Sequence, residues 1–302
     1  MSLNSVNTNL NAFVALQSLN ETSAGLAAAQ KQVSTGYRVA DASDDGAAFA
    51  VAQKVRSGVS ALTAVNQQLG NANGLVGVAQ TALTAISNAF TTAKGLLIDI
   101  ANATTSTAQR AQYVTQYQQL VSQVATKVDG SAYNSQTLLG NSEGTSGAAF
   151  NVVVNEDGTE VTLAAQSQSG VANTLAGLIG ETFTRTVSAT TGVAADVFGT
   201  PGTEQATAQA SLIAGTGSYD VAQAIVSTDL NNVGSYNNLI NATITFNNNK
   251  IDSLNAGLGS LIDADLTKES AVLQSLQIKQ QLGTQALSIA NQSSQSLLSL
   301  FK

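Results

Sequence analysis

Apolar residues recur alternately three and four positions apart through the first third of the chain. The run is Ala48, Val51, Val55, Gly58, Leu62, Val65, Leu69, Ala72, Val76, Ala79, Leu83, Ile86, Phe90, Ala93, Leu97 and Ile100, and none of these is polar. A period of 3.5 residues puts one seam along a helix that winds round a partner with a left-handed twist. At 1.5 Å per residue such a helix would span roughly 80 Å, too long for a compact globule. A polar break over Asn102–Gln109 reads as a turn. Val114, Tyr117, Val121, Val124 and Val128 then resume the spacing, which predicts a second helix folded back on the first. A third run lies near the other end: Val233, Tyr236, Ile240, Ile244, Ile251, Leu254, Leu258 and Leu261, with Asn247 standing on the stripe. The three predict a helical bundle whose partners are far apart in sequence.

The seam vanishes between Ser142 and about Gly217, where Gly, Thr and Ser dominate. Phe150–Asn155, the turn Glu156-Asp157-Gly158 and Thr159–Ala164 read as a β-hairpin, with Phe150, Val152 and Val154 on one face. The stretch Gly170–Gln205 is weakly patterned and reads as loop with one small helix or strand. Both chain ends are amphipathic without charge. Leu3, Val6, Leu10 and Phe13 form a stripe that Leu16, Leu19, Leu26 and Val33 continue after a phase shift. Leu282, Ala286, Ile289, Leu297 and Leu300 form its counterpart, and between Glu269 and Lys302 only Lys279 is charged. An exposed surface helix normally carries charge on its polar face. A face of Asn, Gln, Ser and Thr suits burial against like helices, where no charge has to be desolvated. The ends are therefore expected to order on assembly.

Composition narrows the chemistry. The 302 residues hold 12 Lys plus Arg against 19 Asp plus Glu, a net charge of −7, and no His, Cys or Trp. Without His or Cys there is no Ser-His-Asp triad, no Cys-His pair, no usual zinc site and no disulfide. The acidic balance argues against a nucleic-acid partner. No apolar stretch is long enough for a membrane helix, so no membrane insertion is expected. The N-terminal segment has neither a basic leader nor an apolar block, so the chain is cytoplasmic or leaves by a route that needs no cleaved signal. Asp41, Asp44 and Asp45 before Gly46 do not follow the alternating acidic pattern of a calcium loop and read as a polar loop capping the long helix. Arg38 is placed to bridge to Asp44 and Asp45.

Val33-Ser-Thr-Gly36-Tyr-Arg38, followed by Ala42-Ser-Asp44-Asp45-Gly46, resembles a signature of the bacterial flagellins. Ala101-Asn-Ala-Thr104 is similar to that family's turn between its first two bundle helices. Tyr133-Asn134 and Leu138-Leu139 stand where the family leaves its N-terminal helices. Gln280-Gln-Leu-Gly-Thr284, Ala290-Asn-Gln292 and Ser296–Leu300 look like its closing helix. The resemblance implies a mainly α fold, a long coiled-coil bundle built from both chain ends around a small, hairpin-containing variable middle. It implies three parts: residues 1–43 with 260–302 as an inner terminal coiled coil, 44–169 with 218–259 as bundle plus hairpin, and 170–217 as a short outer segment. It implies a secreted structural subunit, not an enzyme, with no cofactor. Such a subunit is exported by the flagellar type III apparatus and polymerises into an extracellular filament for swimming. Expected partners are further copies of the chain, an export chaperone at the C-terminal helix, and cap and hook-junction proteins. The expected assembly contacts are the apolar end stripes, and a charge at Leu10 or Leu297 should abolish polymerisation. The alternatives are a hook–filament junction protein of the same family and a surface homologue that binds a ligand. In flagellins seen by the mammalian toll-like receptor, the first long helix carries an arginine-containing motif. The corresponding residues here include Phe90, Thr92, Lys94 and Leu96, with Thr92 in place of the arginine and Gly95 in place of a glutamate. The resemblance thus implies weak or absent receptor activation, because a hydroxyl does not replace a planar guanidinium.

Overall fold

A computed structural model describes residues 9–141, 146–166, 171–187, 194–198, 204–212 and 218–299. The elements run α1 (Leu10–Thr35), α2 (Gly46–Ala101), α3 (Thr107–Asp129), β1 (Phe150–Val153), β2 (Glu160–Leu163), α4 (Val171–Gly177), β3 (Phe183–Val187), β4 (Ala194–Phe198), α5 (Glu204–Ser211), α6 (Ser218–Ile262) and α7 (Leu266–Ser299). The chain divides into two compact units, residues 1–60 with 250–302 and residues 61–249.

In the unit 61–249 the heptad seam is the core. Every seam position of α2 from Leu62 to Ile100 is buried, and so are Val114, Tyr117, Val121, Val124 and Val128 of α3. Tyr117 lies in this core, and its hydroxyl donates to the Leu175 carbonyl at 2.8 Å. Burial, reinforced by the electrostatic influence of Tyr219, pushes that phenol well above its ordinary range. The turn after α2 is built by polar side chains. Asn102 Oδ1 accepts from the Thr104 N–H, and Arg110 donates to the carbonyls of Ile100, Asn102 and Thr105, which satisfies the end of α2. Ser106 and Gln109 then form a reciprocal capping box that starts α3.

The hairpin β1–β2 has the register Phe150↔Leu163 and Val152↔Val161, which puts these apolar residues on one face. Asn155 Oδ1 accepts from the N–H groups of Asp157 and Thr159 and shapes the turn. The stretch Gly170–Gln205, expected as loop with one small element, holds more than that: α4 and a second hairpin β3–β4, with α5 beginning at its end. The short helix α4 buries Val171, Ala172, Leu175 and Ala176 against the core of this unit. Arg185 of β3 reaches α3, donating to Asp129 Oδ2 at 3.0 Å and to Thr126 Oγ1. α4 and β3 are held by α3, while α5 donates through Gln209 to the Ala101 carbonyl and through Ser211 to the Leu178 carbonyl, so a local pattern reading misses them.

In the unit 1–60 with 250–302, α1 and α7 pack antiparallel. Asn9 caps α1 by accepting from the Ala12 N–H, and its Nδ2 donates to the Ala290 carbonyl. Gly36, at φ 74°, ends α1 in the left-handed region, its N–H donating to the Gln32 carbonyl. The start of α2 departs from the expected seam. Val51 is exposed, whereas Ala52 is fully buried with Val39, Ala48 and Ile262. The seam has shifted by one residue there, because the partners are a loop and the end of α6 rather than α3.

Candidate assembly surface

Two surfaces run along the α1–α7 pair. The less exposed positions of α1 include the row Ala12, Ala15, Leu19, Thr22, Leu26, Ala29 and Val33. Those of α7 are Leu273, Leu276, Gln280, Gly283, Leu287 and Ala290. Both sets follow alternating three- and four-residue steps, and Leu276 lies over Gly25 while Leu19 lies over Gly283. This is the seam within the subunit. The sequence-derived stripes are split by it. Leu19, Leu26 and Val33 face the seam, whereas Leu10, Phe13, Leu16, Leu282 and Ile289 are exposed at 58%, 64%, 43%, 58% and 67%. Leu3, Val6 and Leu300 lie outside the described residues, and for Leu297 only the helical backbone is described. The α7 half of the seam, Leu273 to Ala290, was missed because Gln280 and Gly283 interrupt its apolar character. Its signal was the spacing alone.

The exposed flank of α7 is continuous. Ile278, Leu282 and Ile289 share one exposed face, at least a third of a turn from the seam, with Ala286 at its edge. Val14 and Ala15 of α1 and Ala286, Ile289 and Ala290 of α7 line an open groove of about 520 Å³. Single exposed aliphatics are normal on soluble proteins, but a contiguous row of them marks an interaction surface.

The loop signature is also rearranged from expectation. Arg38 does not pair with Asp44 or Asp45. Its guanidinium donates to the Leu261 carbonyl, and its N–H to the Ile262 carbonyl at 2.7 Å. Lys31 takes the acidic partners instead, with Nζ at 2.6 Å from Asp41 Oδ2 and 2.7 Å from Asp44 Oδ1. The Lys31 hydrogen bonds hold both carboxyls below the usual range, and those to Asp41 and Asp44 raise the lysine. The loop's carboxylate contacts are thus present above the ordinary carboxylate range and are lost only as pH falls below it. Asp45 caps α2, accepting from the N–H groups of Ala47 and Ala48 at 3.0 Å. Tyr37 pairs with Asp263 in a bridge, and the Arg56 guanidinium sits 5.9 Å above the Tyr37 ring. The signature therefore ties the N-terminal chain to the turn before α7. Among the described residues no acidic cluster could hold a metal ion, and no helix is long and apolar enough to cross a membrane.

Of the receptor-like residues, Phe90 is fully buried against Tyr219, whose hydroxyl donates to the Phe90 carbonyl. Leu96 is half-buried, while Thr92 and Lys94 are exposed, Lys94 lying 5.3 Å above the Tyr219 ring.

The bacterial flagellin N-terminal helical region matches residues 6–143, and the flagellin C-terminal helical region matches residues 217–301. The chain is a bacterial flagellin. It is 34% identical to flagellin FljM and 35% identical to flagellin FljK of Caulobacter vibrioides, over the whole of each chain. It is 30% identical to a flagellin of Brucella melitensis over 99% of both. The stretch 144–216, between the two matched regions, contains both hairpins. Flagellins are structural proteins that build the extracellular flagellar filament, so this flagellin is a filament subunit that self-assembles, and its role in motility follows from the family.

Proposed function

We propose that polymerisation of this flagellin buries the exposed flank of α1 and α7 between neighbouring copies. The observation that carries this is the row Leu10, Phe13, Leu282 and Ile289. These side chains are exposed on a helix pair whose remaining polar surface is almost free of charge. Two paired helices leave each helix with an unburied apolar side, and a third and fourth helix from other subunits would complete the packing. The amide and hydroxyl positions beside the row can hydrogen-bond across such a contact without stranding a charge. We retain the three-part division, with residues 1–43 and 260–302 as the inner terminal domain, 44–169 and 218–259 as the bundle, and 170–217 as the outer segment.

The same apolar row on α7 would be what an export chaperone covers before assembly, and cap and hook-junction proteins would meet it at the filament ends. Thr92 beside Lys94 leaves no planar cation for the mammalian receptor, so weak signalling is the expected behaviour. Seeded polymerisation tests the central reading. Heat-dissociated protein mixed with short filament seeds should grow long filaments by negative-stain electron microscopy. Growth should depend on residues 1–40 and 260–302. Protein that adds to seeds and stops would favour a junction role, and protein that stays monomeric would favour a ligand-binding surface homologue.

A further inference from the structure

Core positions on α6 recur every seven residues at Tyr219, Val226, Val233, Ile240 and Asn247, and all five are buried. The last is an amide 1% exposed in a line that is otherwise apolar or aromatic. A buried amide persists only where its hydrogen bonds are met. Asn247 Nδ2 donates to Asn66 Oδ1 at 3.0 Å and to the Val154 carbonyl at 3.1 Å. It thus joins α6 to α2 and to the end of the β1–β2 hairpin. Asn66 passes the contact on, its Nδ2 donating to Asn248 Oδ1 at 2.9 Å.

A second amide group lies seven residues further along α2. Asn73 Nδ2 donates to Asn241 Oδ1 at 3.2 Å, Asn241 Nδ2 to Asn237 Oδ1 at 2.7 Å, and Asn237 Nδ2 closes the ring on Asn73 Oδ1 at 3.2 Å. The rungs Asn66–Asn248 and Asn73–Asn241 are therefore one heptad apart on two antiparallel helices. Apolar heptads alone do not fix such a pair, since a slide of seven residues keeps every seam position in phase. A slide of three or four residues unpairs Asn66 from Asn248, although in one direction Asn237 or Asn238 then comes opposite Asn73. The rungs reject a slide of seven only in part, because Asn73 can then meet Asn248. Asn247 removes that remaining degeneracy. Moved opposite Asn73, it loses the Val154 carbonyl and leaves that acceptor without its partner.

We propose that Asn247 specifies the axial register of α2 against α6, with Asn66 and the Val154 carbonyl as its partners and the Asn73–Asn237–Asn241 ring as a second lock. A single polar residue at a buried heptad position selects one alignment at some cost in stability. In a filament subunit that alignment sets the axial spacing of everything the two helices display. A slip of one heptad would displace it by about 10 Å.

The chain has no cysteine, so paired spin labels can be placed cleanly on the full-length monomer. Gln80 of α2 and Thr245 of α6 are both exposed and axially offset. Labelled there, the native sequence should give one narrow distance by double electron–electron resonance. Asn247→Leu combined with Asn73→Leu should add a second population at a clearly different distance, reflecting an axial label offset changed by about 10 Å. Circular dichroism reports whether the variant keeps its helix. If it does not, Asn247→Ala combined with Asn73→Ala removes the same amides without adding bulk to the seam, and the same second population is expected. One unchanged distance in the helical variant overturns the proposal, whatever happens to its stability.

Discussion

Replacing Ile289 by Asp separates folding of the subunit from its assembly. Ile289 is 67% exposed and on the flank away from the α1–α7 seam. In the monomer the substitution exchanges one solvated side chain for another and should change stability by less than about 0.5 kcal/mol. Assembly is different. Burying a whole Ile side chain is worth about 1.5–3 kcal/mol, and two-thirds of this one remains to be buried, so roughly 1–2 kcal/mol per subunit is at stake. Ile289→Ala loses most of that, which raises the critical concentration roughly 5- to 30-fold at 1.4 kcal/mol per decade. Ile289→Asp also strands a carboxylate in a contact with few cations, at several kcal/mol, and filaments should not form at any practical concentration. The assay is seeded growth followed by pelleting, with monomer helix content measured in parallel. The seam variant Leu276→Asp is the contrast, since it should loosen the α1–α7 pair in the monomer itself. Ile289→Asp filaments growing at the native critical concentration would refute the interface assignment.

Four further outcomes follow from the geometry. Gly74→Ala would place a Cβ 2.8 Å from the end of the partly exposed Tyr133 ring, which must swing aside; this offsets the gain of about 1 kcal/mol from alanine in a helix, and urea unfolding should show little net change. Asp45→Ala removes the cap of α2 and should cost about 1 kcal/mol by the same measurement. Burial raises the Glu181 carboxyl, whose two oxygens accept from Gln118, so its stabilising protonated form is present below the ordinary carboxylate range and is lost as pH rises through the raised value. Glu181→Gln should therefore match the native protein near pH 4 and exceed it in stability at neutral pH, and equal midpoints at both would contradict this. Reporter cells bearing the mammalian receptor should respond weakly to the purified protein, and full-strength signalling would refute the reading of Thr92.

The bundle was legible because its signal is repetitive. The seam from Leu62 to Ile100 and the five core positions of α3 lie buried where the spacing puts them, and the first hairpin declares its register through Phe150, Val152 and Val161. Three features were not legible, for different reasons. The α4 to α5 region lacks periodicity because its short elements are anchored to distant parts of the chain, Arg185 to Asp129 and the Leu175 carbonyl to Tyr117 among them. The partner of Asp41 and Asp44 is Lys31, ten and thirteen positions away, while the neighbouring Arg38 turns to the Leu261 carbonyl across the chain. Local charge spacing gave no means of choosing between the two cations. The end stripes were read as single surfaces, whereas each helix has two apolar sides. A single-helix pattern does not say which side meets the partner within the subunit, and the Gln280 and Gly283 positions concealed the inner one.

Solvent access at the α7 flank in monomer and filament tests the account most directly. Because the chain has no cysteine, Leu282→Cys and Ile289→Cys give single reactive sites. Thiol labelling should be fast in dissociated subunits and strongly suppressed along the length of assembled filaments. Equal labelling rates in the two states would mean that the filament leaves this flank open and that another surface holds the subunits together.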